Sequence, residues 1–101
     1  MLADVSYAMK YADTHQAWVV VVVPVERVSE ALTFLTGMVD KQPFGGRTLS
    51  LASGGRVSVV PVTAEPMDDG FDLIFSGWGG AVDLEGLDKW RKASRSVLDR
   101  Q

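Results

Sequence analysis

The chain has no cysteine among its 101 residues. Disulfides, thiolate nucleophiles and cysteine-built zinc sites are therefore excluded. Histidine is nearly absent too, with His15 alone. A hydrolytic triad needs that imidazole beside a hydroxyl and an orienting acid. Here it stands in a polar stretch, Thr14-His15-Gln16, and reads as an exposed loop histidine. There is no surplus of basic charge: 10 Lys and Arg against 13 Asp and Glu leave a net charge of −3. A dedicated nucleic-acid binder usually carries a basic excess. Long apolar runs are missing as well. The longest, Ala17 to Val25, has nine residues, less than half of the roughly 20 that a membrane-spanning helix needs. No secretory leader is legible, because Asp4, Lys10, Asp13 and His15 interrupt residues 1–16. These features predict a soluble, cytoplasmic protein without membrane association.

What the chain has is a wall of valine. Val19 to Val23 are five valines in a row, with no polar alternation to mark a face for water. Such a strand belongs in the middle of a sheet covered on both sides. Burying each valine contributes roughly 1.5–3 kcal/mol, which outweighs any local preference nearby. Pro24 cannot donate to a sheet ladder and ends the strand. Val25, Val28, Ala31, Leu32, Leu35, Met38 and Val39 then share one helical stripe, predicting an amphipathic helix over 25–39. Val5, Ala8, Met9 and Ala12 predict an earlier helix over 3–13.

Farther along, Thr48–Ala52 and Arg56–Val62 flank Gly54-Gly55 and read as a β-hairpin. A two-residue turn there places Leu49 and Leu51 on one face with Ser58 and Val60. Pro61 suggests an interruption or an edge. An acidic loop over 63–70 leads to a short strand over 71–76. A last helix runs over 84–98, with Asp83 as its N-cap and Leu84, Leu87, Trp90, Val97 and Leu98 as its apolar stripe. The fold class is therefore a single small α/β domain over residues 1–101, of two or three layers. Its order is α-β-α-β-β-β-α, with an about four-stranded mixed sheet and a central buried strand at 17–23.

Motifs with chemistry are few. Asp68, Asp69 and Asp72 lack the length and the closing Glu of an EF-hand loop and read as a solvated turn. Gly77-Trp78-Gly79-Gly80 opens like a dinucleotide fingerprint, but Val82 stands at the third glycine position. Asp83 and Glu85 would repel an anion at the helix start. The last helix carries Lys89, Arg91, Lys92, Arg95 and Arg100, half of the basic residues. Acids early and bases late match the helix dipole, and acids ahead of bases suit a solvated face.

The strand-proline-helix step Val19-Val20-Val21-Val22-Val23-Pro24-Val25, the hairpin at 48–60 and the strand Asp72-Leu73-Ile74-Phe75-Ser76-Gly77 together resemble the ATPase core of phage terminase large subunits and helicase-like P-loop ATPases. The resemblance covers roughly residues 5–80, through short motifs. In that family a P-loop lysine and a Walker B acid pair clamp phosphate and magnesium. The chain begins after the point where the P-loop would stand, and Ser76 and Gly77 occupy the acid positions. The resemblance thus implies a related layout without ATP hydrolysis.

These features predict a non-enzymatic interaction or regulatory module, of the accessory or host-modulating kind found in bacteriophage. No catalytic residue, cofactor or metal is assigned. Partner-binding residues are expected at Trp78, Trp90, Arg91 and Arg95, since tryptophan and arginine are enriched at binding hot spots. The expected partner is a protein, a second copy of the chain included, with an exposed hairpin edge available for pairing. One alternative is a nucleotide- or small-ligand-binding domain using the glycine turn at 77–80. Another is a nucleic-acid-associated regulator acting through the basic C-terminal helix.

Overall fold

A computed structural model describes residues 2–39, 48–66, 70–75 and 84–98. The chain opens with helix α1 (Leu2–His15). Val5, Ala8, Met9 and Ala12 are all buried along it, the stripe their spacing predicts. The helix runs two residues past the predicted end. Ala17 N–H then bonds back to Ala12 C=O at 3.1 Å. Between them Gln16 takes a left-handed φ of 52°, so α1 closes in a Schellman-type turn with glutamine at the position glycine prefers.

Strand β1 (Trp18–Val23) follows directly. All five valines are buried. Parallel strands flank it on both sides: β3 (Arg56–Pro61) and β4 (Asp72–Phe75). The five-stranded sheet has the order β2-β3-β1-β4-β5, with β2 (Thr48–Ser50) antiparallel to β3 and β5 (Ser96–Val97) parallel to β4. Val19, Val21 and Val23 point into a core built with α1 and α2 (Val28–Val39). Val20 and Val22 point into a second core with Phe71, Leu73 and Trp90 of α3 (Leu84–Ala93). Helices thus cover both faces, and the protein is a three-layer α/β domain, as a strand without polar alternation requires.

The element boundaries differ from those the residue pattern predicts. After Pro24 the chain makes a 3-10 turn over Val25–Arg27 before α2 begins. Val25 is consequently off the stripe and 54% exposed. In the hairpin, Leu49 pairs with Val57 and Ser50 with Arg56. The loop is Leu51–Gly55, closed by Leu51 N–H to Gly55 C=O at 2.8 Å and Gly54 N–H to Leu51 C=O at 3.0 Å. It is longer than the two-residue turn expected, and the parity flips. Leu49 therefore lies with Val57 and Val59 in the first core, not with Ser58 and Val60.

The reason lies in α1. A side chain on Gly55 would overlap the Ala12 carbonyl oxygen, so this glycine serves a close approach to the helix end rather than the turn. Gly54, with φ +102°, supplies the turn itself. Pro61 marks the end of β3 and not an edge. Arg56 and Val62 N–H donate to Ala17 and Val23 C=O. By the period of two, the nitrogen of Pro61 points away from β1, so no bond of the central pair is lost.

The last helix is also shorter than expected. It stops at Ala93, where Ser94 N–H bonds to Trp90 and Arg91 C=O. The chain then turns back to the sheet as the unforeseen fifth strand. No described helix is long and apolar enough to cross a membrane.

Candidate functional site

Of the four predicted partner-binding residues, Trp78 lies outside the described residues, as does the glycine turn around it. Trp90 is on the inward face of α3 and only 5% exposed. Its ring sits 5.8 Å from that of Phe71, which in turn meets Trp18 edge-on at 5.4 Å. Its Nε1–H donates to Ala64 C=O at 3.0 Å. Trp90 thus fastens α3 to the sheet and to the chain leaving β3, with almost no surface left to offer.

Arg91 is on the exposed side of α3. It donates to Asp88 at 2.7 Å, and Lys92 approaches the other oxygen of the same carboxylate at 3.1 Å. The hydrogen bonds from Arg91 and then Lys92 hold the Asp88 carboxyl below its ordinary range. Lys89 reaches Glu65 at 3.0 Å. Of the bases expected to form a basic helix face, Lys89 is paired with Glu65, Arg91 and Lys92 share Asp88, and Arg95 is not on the helix at all. Arg100 lies outside the described residues.

Arg95 begins the return to the sheet. Its Nε and Nη2 donate to the two oxygens of Asp72 at 3.2 and 2.7 Å. Ser96 Oγ–H donates to Asp72 Oδ1 at 2.8 Å. The carboxylate is 1% exposed, while the guanidinium side chain is 63% exposed. The Asp72 hydrogen bond and then its charge raise the pKa of Arg95 further above its usual value. The sequence offered one signal for this pairing. A lone acid inside Phe71-Asp72-Leu73-Ile74-Phe75 must be neutralised if the strand is buried.

A second polar tie sits near the start of β1. Trp18 Nε1–H donates to Ser58 Oγ at 2.9 Å, and Ser58 shares a 2.8 Å hydrogen bond with Thr48. The Arg56 guanidinium lies 4.5 Å above the Trp18 ring, a cation–π contact. His15 ends α1, exposed, its ring 4.3 Å from that of Tyr11. Asp68 and Asp69 fall outside the described residues, and Asp72 is committed to Arg95 and Ser96. Among the described residues no group of three or more His, Cys, Asp or Glu could hold a metal.

Two depressions flank the first turns of α3. One, of about 250 Å³, is lined by Val62, Ala64, Glu65, Glu85 and Lys89, among others. The other, of about 650 Å³, is lined by Phe75, Glu85, Leu87, Asp88 and Arg91. Both lie toward the carboxyl ends of β3 and β4. The connection from β1 leads through α2 toward β3, whereas that from β4 leads through α3 to β5. The connections diverge between β1 and β4, the kind of switch point at which doubly wound sheets take ligands.

Comparison with known proteins gives no assignment: no family model, no curated protein and no solved structure matches this chain.

Proposed function

We propose that this chain is a non-enzymatic protein-interaction or regulatory module. Among the described residues, the buried polar side chains are spent on the fold. Ser58 ties β3 to Trp18 of β1 and Thr48 of β2. Asp72 ties β4 to Arg95 and Ser96. Both hold neighbouring strands together, and His15 stands exposed at a helix end. Turnover asks instead for reactive groups held ready in a cleft. The expected partner is a protein, a second copy included, since β2 forms one edge of the sheet. On the terminase-like resemblance, Ser76 and Gly77 leave no handle for magnesium, so hydrolysis of nucleotide is not part of the proposal.

Affinity capture from the native host, followed by calorimetric titration of the purified partner, tests the reading. A saturable heat with a protein partner supports it. A reaction rate that persists through repeated purification overturns it. Self-association is tested separately by light scattering, where a strict monomer at high concentration removes the second copy as partner.

The switch point between β1 and β4 favours a second reading as a small-ligand-binding domain. Thermal melts with ATP, GTP, NAD and magnesium separate the two. A bound ligand at one hundred times its dissociation constant raises stability by about 2.7 kcal/mol, and no shift with any of them removes the nucleotide version. Regulation through nucleic acid finds less support, because Arg91, Lys92 and Lys89 are paired with Asp88 and Glu65.

A further inference from the structure

Strand β5 is held to the molecule in an uneven way. It pairs with β4 through only Asp72↔Ser96 and Leu73↔Val97. Two amides reinforce it: Arg95 N–H to Phe71 C=O at 2.7 Å and Leu98 N–H to Leu73 C=O at 2.8 Å. Ser96 is exposed and Val97 is 43% exposed. Only the half-buried Leu98 packs on a core. Short pairing with little apolar burial marks a segment that opens independently of the rest. What opposes opening is Asp72. Its carboxylate is buried, and the hydrogen bonds to it come from Arg95 and Ser96, both in this segment.

We propose that residues 95–98 form a releasable strap on the β4 edge, hinged at the end of α3 and latched by the Arg95–Asp72 ion pair. Laying the strap down and burying the Asp72 charge are one event. Lifting it removes the counter-charge and, at the same moment, lets water reach the carboxylate, so the core need not open with it. The elements on either side stay anchored without the strap. α3 is fixed by Trp90 through Ala64 and Phe71, and β4 remains paired to β1 from Val19↔Asp72 to Val22↔Phe75. The hinge is Ser94, whose amide closes α3 on Trp90 and Arg91. An open strap bares the outer hydrogen-bonding edge of β4. This goes beyond the proposed interaction role and does not depend on it.

Native-state hydrogen exchange of the full chain, followed by NMR across low urea concentrations, tests the proposal. The Arg95 and Leu98 amides should exchange through an opening that is insensitive to urea and about tenfold or more easier than that of Val21, the behaviour of a local unit. Arg95→Ala and Asp72→Asn should each speed those two amides further while their exchange stays insensitive to urea; Val21 and Val59, whose global opening breaks the same latch, should be speeded by no more than the same factor. The proposal is overturned if the strap amides exchange together with Val21 at the same urea dependence, or if both variants leave the strap amides unchanged. The wild-type urea dependence decides the matter even where a variant does not fold.

Discussion

Asp72 and Arg95, twenty-three positions apart, meet through both carboxylate oxygens, with the acid buried and the base reaching it from solvent. Removing the guanidinium leaves a buried carboxylate with only the Ser96 hydroxyl among these partners, the costly half of a broken buried pair. Arg95→Ala should therefore lower the urea midpoint. Adding Asp72→Asn should recover part of the loss, because the uncompensated charge is gone. A double variant no more stable than Arg95→Ala alone would show that this charge is not what destabilises.

The buried centre of the fold was legible because consecutive valines have one comfortable environment. The edges were not, and for tertiary reasons. Gly54-Gly55 suits a two-residue turn, but Gly55 is placed by the carbonyl of Ala12, which no local pattern reveals. Val97 and Leu98 continue the helical spacing of Leu87 and Trp90, yet the segment leaves the helix to pair with β4, where Arg95 supplies the counter-charge to Asp72 and Ser96 donates to it. Trp90 was legible in two ways at once. Its place on the apolar stripe gave the core role seen here, while its residue type suggested a binding surface.

Gly55 has no room for a methyl group. Gly55→Ala must push the hairpin from the end of α1 or strain both, at a cost of about 1–3 kcal/mol for overpacking. Denaturant unfolding checks this. Ala52→Ser, in the same loop at an exposed position, is the control and should change stability by less than about 0.5 kcal/mol. Equal effects at the two sites would mean that the close approach of Gly55 to Ala12 does not matter.

Gln16 holds a left-handed backbone where glycine is at ease. Gln16→Gly relieves strain of roughly 1–2 kcal/mol against an unfolded-state entropy cost of about 0.4–1 kcal/mol. The variant should be more stable by about 0.5 kcal/mol, read as a higher thermal midpoint. A lower midpoint would contradict the Schellman-type ending of α1.

Trp90 and Arg91 are neighbours with opposite roles. Trp90→Ala empties the space beside Phe71 and leaves Ala64 C=O without its donor, so a loss of about 3–5 kcal/mol is expected. Arg91→Ala, on the exposed face, should stay within about 0.5 kcal/mol. Circular dichroism melts compare the two directly. If Trp90→Ala left the melt unchanged and abolished binding of a captured partner, Trp90 would be a surface anchor after all.

Asp88 shows how the helix responds to acid. Its folded pKa is depressed by the hydrogen bonds from Arg91 and Lys92. A depressed carboxylate stabilises the folded state fully above its unfolded pKa, and that contribution disappears as the pH falls through the lower folded value. Carbon-detected NMR should place the Asp88 midpoint below that of an unpaired aspartate. Because both partners are solvent-exposed, added salt should move the midpoint back toward the ordinary value. Arg91→Ala should move it the same way, and more than Lys92→Ala, since Arg91 is the larger cause. A midpoint indifferent to both substitutions would dissolve the charge matching that here occupies the basic residues of α3.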